Sequence, residues 1–74
     1  MKIDYSRHVW EGWTVQDFID DLAPVVAMIM RGEAITKPFS TKRELAEWLK
    51  DNQSYYKKTI PEVRDHFANL YHLK

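Results

Sequence analysis

The sequence predicts an all-α fold: a compact three-helix domain with an extended or partly ordered aromatic amino-terminal segment. Three observations carry that expectation. Apolar residues recur at helical spacing in three separate stretches. The pairs Thr14/Asp17, Thr41/Glu44 and Thr59/Glu62 stand at their heads as helix-starting signals. With 45% hydrophobic and 14% aromatic residues, the chain is also too rich in core-forming side chains to be a disordered tail. At 74 residues it is one domain, 1–74, with a single modest core. It has no cysteine, so it rests on packing alone or on self-association.

The amino terminus, MKIDYSRHVWEGW, has charges scattered through it and no apolar run of signal-peptide length. The longest uncharged stretch, Leu22 to Met30, is nine residues, against the ~20 needed to cross a bilayer. No membrane association is expected, and a cytoplasmic location fits. Tyr5, Val9, Trp10 and Trp13 are placed to lie as a lid over the groove between helices, where each ring buries much area at little entropic cost. An exposed Trp10 would instead anchor a partner.

The first helix begins at Val15, where the Thr14 hydroxyl takes an orphan amide and Asp17 suits the positive helix end. Its apolar positions, Val15, Phe18, Ile19, Leu22, Val25, Val26 and Ile29, hold one face straight through Pro24, and Gly32 stops it. The unbroken phase favours one kinked helix over residues 15–31; two short helices with Pro24 opening the second are the alternative.

Residues 33–39, EAITKPF, form a linker, and a minor β-ribbon between them and KIDY is the reading that would order both. The second helix spans 42–51 and puts Leu45, Trp48 and Leu49 on one face. Residues 53–58 add one short helical turn. Thr59 with Glu62 then introduces a third helix at 60–72, with Pro61 in its first turn and Ile60, Val63, Phe67, Leu70 and Tyr71 as its apolar stripe.

Net charge is zero, but residues 1–36 carry three Lys or Arg against six Asp or Glu, and residues 37–74 carry eight against five. The two halves are therefore expected to attract one another.

The stretch from Thr41 to Phe67 has helix chemistry suited to a helix-turn-helix, making residues 41–73 a candidate DNA-binding region. Tyr55, Tyr56, Lys57, Lys58 and Arg64 are its candidate DNA contacts. The motif needs a turn of about three or four residues between its helices, and the gap from Asp51 to Thr59 is roughly twice that. WTVQDFIDDL, with RGEAI and TKRELAEWL, resembles the small winged-helix excisionases and related regulators. That resemblance implies a Thr-Val start to the first helix and a Gly end to the second. Leu22 to Gly32 is too short to hold both a turn and a full recognition helix, and no basic wing follows. WTVQDFIDDLAP and DNQSYYKKTIPEV are similar to small uncharacterised proteins of phages and mobile elements of Gram-positive bacteria.

No enzyme constellation stands out. Asp17, Asp20 and Asp21 crowd one helical turn, which usually just complements the helix dipole. His8, His66 and His72 have no ligand spacing, and Glu62 with His66 reads as an ordinary surface ion pair. Ser6, Ser40 and Ser54 have no base partner, and no cofactor is expected. The least ordinary segment is LAPVVAMIM. A second apolar stripe there runs through Ala23, Ala27, Met30 and Ala34, with Met28 on a further side. Either this is the central helix, wrapped by the rest, or one side is left for another molecule. Ala23, Ala27, Met28, Met30 and Trp10 are therefore the protein-interface candidates, for a partner protein or a homo-oligomer. The expected function is that of a small non-catalytic binding and regulatory protein; a DNA-binding regulator is the alternative.

Overall fold

Thr14 opens the helical part of the chain. In the computed structural model, which describes residues 2–52 and 56–74, its hydroxyl accepts the Asp17 amide at 3.2 Å and the Asp17 carboxylate accepts the Thr14 amide at 2.8 Å. This is the reciprocal cap expected from their spacing. The other amides of the first turn find carbonyls upstream, Val15 donating to Arg7 at 3.0 Å and Gln16 to Tyr5 at 2.9 Å. The amino-terminal segment thus docks by satisfying orphan donors. Helix α1 then runs Val15–Met30 as one element through Pro24. The proline withholds a hydrogen bond from the Asp20 carbonyl, but it lies on the exposed side, where water can serve that oxygen. At the far end Gly32 takes φ +77°. Its amide donates to Ile29 at 3.0 Å and that of Glu33 to Met28 at 2.9 Å, closing a Schellman motif.

Ahead of α1, strands β1 (His8–Trp10) and β2 (Trp13–Thr14) pair antiparallel with Trp10 opposite Trp13. Glu11 and Gly12 make the turn at φ 50° and 81°, positive at both central positions as a type I′ hairpin requires. The ribbon expected between KIDY and residues 33–39 is not the one that forms. A two-residue turn closes a hairpin at far lower entropic cost than a pairing that must enclose the whole of α1.

Helix α2 runs Lys42–Asn52 and α3 Pro61–Leu70. Thr41 and Glu44 cap α2 as expected, the Glu44 amide donating to the Thr41 hydroxyl at 3.2 Å and the Thr41 amide to the Glu44 carboxylate at 3.1 Å. Helix α3 starts differently. Ile60 occupies its cap position without a side-chain bond, and the Thr59 hydroxyl instead donates to the Ala46 carbonyl at 3.1 Å, tying the loop to α2. The expected helical turn at 53–58 falls partly outside the described residues, and Tyr56–Lys58 are not helical. After α3, His72 turns the chain at φ 56° and the Leu73 amide donates back to Ala68 at 2.8 Å. The Lys74 carbonyl then accepts the first amide of α2, from Lys42, at 3.0 Å.

Helix α3 packs against both α1 and α2. Phe18, Leu22, Leu45, Val63 and Phe67 meet in the core as expected, joined by Phe39 from the linker. Three side chains assigned inward by the sequence do not sit there. Trp48 is half-buried and lies against Phe39, ring centres 5.8 Å apart. Val25 is 43% exposed and Leu70 is 56% exposed. Val26 is fully buried, and its neighbour is turned away by about 100°. At Leu70 the helix ends, and the reversal at His72 brings Leu73 against the core instead. Among the described residues, no helix is long and apolar enough to cross a membrane.

Candidate functional site

With Val15, Phe18, Ile19, Leu22, Val26 and Ile29 turned inward, the opposite side of α1 is exposed, and its character changes along its length. Asp17, Asp20 and Asp21 come first, then Pro24, Val25 and Met28, then Arg31. Asp17 is engaged in the helix cap, and Asp20 accepts from the Gln16 side chain at 2.8 Å. These carboxylates, with Glu11 and Trp13, line an open depression beside the hairpin turn. The middle section is apolar, with Val25 and Met28 43% and 42% exposed. At the end, the Arg31 guanidinium donates from Nε to Glu33 at 2.6 Å. That hydrogen bond holds the Glu33 carboxyl below the usual carboxylate range.

The five interface candidates divide on this geometry. Met28 is exposed; Ala23, Ala27 and Met30 are half-buried at the margins of the same face, Ala23 and Met30 packing against the core. Trp10 belongs to another cluster: its ring centre is 6.0 Å from that of Tyr56, which lies 5.9 Å from Phe18, itself 5.0 Å from Trp13. Trp10 and Trp13 thus form the lid, over the start of α1. The sequence reading missed Val25 and Pro24 as surface residues. The available signal was the adjacency of Val25 to Val26, since two successive helical residues cannot share one inward line.

The DNA-contact candidates are also dispersed. Tyr55 lies outside the described residues. Tyr56 is half-buried among the lid aromatics, and the Arg64 guanidinium donates to Asp65 at 2.9 Å. Lys57 is exposed and its ammonium donates to the Asp51 carbonyl at 3.1 Å; Lys58 is exposed beside it. One side of α3 is covered by the amino-terminal segment. There Arg7 grips Glu62 with both its Nε and, at 2.8 Å, its Nη2, while the Tyr5 hydroxyl lies 3.1 Å from His66 Nδ1. The surface pair expected between Glu62 and His66 is replaced by these two long-range contacts. The Arg7–Glu62 ion pair does join the two halves of the chain, but with signs opposite to their net charges.

No family model matches this chain, and no curated protein or solved structure matches it. His8 and His72 are exposed, and among the described residues no group of three or more His, Asp or Glu is placed to hold a metal ion.

Proposed function

We propose that this protein is a non-catalytic binding module whose working surface is the exposed face of α1, centred on Met28 and Val25. The observation that carries this reading is the exposure of these two large apolar side chains, 42% and 43%, on one helix beside Pro24. Scattered apolar residues are ordinary on a protein surface, but a contiguous apolar strip bordered by charge is the usual anatomy of a docking site. Ala23 and Ala27 at its margin let a second helix approach closely, and the flexible Met28 adapts to what is placed on it. A small binder acts through what it holds, so its role is regulatory, a reading that accords with the similarity to small uncharacterised proteins of phages and mobile elements. Duplex binding, the alternative, would rest on Lys57 and Lys58.

Paired substitutions test the surface. Met28→Glu places its carboxylate in water and should leave thermal unfolding nearly unchanged while removing association. Met30→Glu, half inside the core, should lower the melting temperature, because a buried carboxylate there lacks a partner. The measurements are thermal unfolding, mass by light scattering and capture of bound proteins, on both variants beside the parent. A folded Met28→Glu protein that keeps its mass and every partner would eliminate the α1 face as the binding surface.

A further inference from the structure

Helix α1 presents acidic and then apolar residues along two neighbouring rows. Residues three and four apart are neighbours on a helix surface, so Asp17, Asp21, Val25 and Met28 form one row and Asp20, Pro24 and Met28 the other. All of these are exposed. Only Asp17 lies in the first turn, where an acid complements the dipole of its own helix. Asp20 and Asp21 lie beyond it. With Glu11 and Trp13 they line the open depression beside the hairpin turn, and on the same side Pro24 leaves the Asp20 carbonyl without its helical hydrogen bond. Residues 11–33 hold one Arg against five Asp or Glu, in a chain whose net charge is zero.

We propose that the partner of this face is a protein segment forming a basic amphipathic helix, with its apolar stripe on Val25 and Met28 and a Lys or Arg cluster over the depression. The proposal rests on the α1 face being the binding surface and names the class of partner. The acids choose the occupant. They repel nucleic acid and anionic lipid, and they draw a cation toward one end of the apolar strip. A Lys or Arg entering the depression lays its stem along Trp13 and sets its charged head among Glu11, Asp20 and Asp21.

Two of these carboxylates already have contacts, Asp17 in the helix cap and Asp20 with the Gln16 side chain. An ionised carboxylate accepts at about four lone-pair sites, so a cation adds to these contacts rather than replacing them. From Asp17 to Met28 the strip is about 16 Å long, which matches about three turns of a partner helix. Antiparallel packing opposes the two helix dipoles and sets the partner's C-terminal half over the acids. That is also the end at which Lys and Arg suit the partner's own dipole. One helix face makes a small interface, so the complex is transient rather than obligate.

Three synthetic peptides of about 18 residues, long enough to form a helix, test the assignment by titration against the isotope-labelled protein, with amide shifts giving both affinity and location. The first carries a Leu stripe at helical spacing, Lys in its C-terminal half and Gln elsewhere. The second has Glu in place of Lys. The third has the composition of the first with its Leu residues scattered so that no stripe forms. The first should bind with shifts centred on residues 17–31, and its affinity should fall as salt is raised. Asp20→Asn with Asp21→Asn should weaken it about fivefold, for two exposed charge contacts. Val25→Ala with Met28→Ala should weaken it about tenfold, for lost apolar contact. Circular dichroism confirms that each variant is folded. The second and third peptides should bind about tenfold more weakly than the first, or less. A first peptide that fails to bind at about millimolar concentration, that binds no better than the second or third, or that ignores the loss of both aspartates overturns the basic partner. The basic partner falls and the α1 face stands if the second peptide binds there in preference to the first, or if the first fails while the parent self-associates through Met28. Shifts that fall away from α1, with a folded Met28→Glu protein that loses nothing, overturn both.

Discussion

His72 adopts φ 56° without being glycine, in the position after α3 where a Schellman motif favours a residue free of a Cβ. His72→Gly should therefore stabilise the domain by roughly 1 kcal/mol, read as a higher midpoint in urea; an unchanged or lower midpoint would mean that the imidazole makes a compensating contact. Two other residues set the response to acid. Arg7, by hydrogen bonding, holds the Glu62 carboxyl below its usual range, and burial lowers His66. Both shifts favour the deprotonated form in the folded chain, so in acid the unfolded chain binds protons first and stability falls. The His66 contribution is complete above about pH 6.5 and is lost as pH drops through its lower folded value; that of Glu62 is complete above about pH 4.3 and is lost below it. Arg7→Gln should lower the melting temperature at neutral pH, and the difference from the parent should vanish once Glu62 is protonated. A difference that persists in strong acid would assign the effect to packing of the Arg7 stem.

Helix α1 carries both its strongest local signals and its weakest residue. The cap at Thr14 and Asp17 and the stop at Gly32 depend on groups within a turn of one another, so both ends were legible from the sequence to within a residue. Pro24 runs against helix propensity, by about 3 kcal/mol relative to alanine in an interior position. Pro24→Ala should raise the melting temperature, the gain reduced by the greater freedom of alanine in the unfolded chain. If the proline ring is part of the contact surface, the same variant should associate less well. A more stable variant with undiminished association would make Pro24 a passive member of the face. In contrast, α3 was legible only in part. Thr59 and Glu62 have the spacing of a reciprocal cap, yet Thr59 reaches back to Ala46 and Glu62 to Arg7. Both are claimed by partners that become neighbours only after the helices pack.

For the whole molecule, the core is small enough that one side chain matters greatly. Phe67 is 1% exposed and joins α3 to the shared core. Phe67→Ala should cost about 3 to 5 kcal/mol, comparable with the entire stability of many domains of this size. Retention of the parent melting temperature would show that α3 contributes little to the core. Loss of binding in that variant would follow from unfolding, so only exposed positions such as Met28 report on the surface itself.

What the sequence determined by itself is what depends on near neighbours: three helices, their amphipathic faces, two of the three caps, and the inward course of Phe18, Leu22, Leu45, Val63 and Phe67. The Glu11–Gly12 hairpin was equally local, and its signal, a glycine between aromatic residues, was present but outweighed by a longer-range ribbon. Tertiary structure decided the contacts between distant positions, such as Arg7 with Glu62 across 55 residues and Tyr5 with His66 across 61. It also decided which side of α1 remained open: Val25 of the main stripe and Met28 outside both stripes are exposed, while Ala23, Ala27 and Met30 of the second stripe are half-buried. A helix with apolar residues nearly all round has no intrinsic preference for one face. The choice was made when α3 and the aromatic lid covered one side and left Val25 and Met28 exposed.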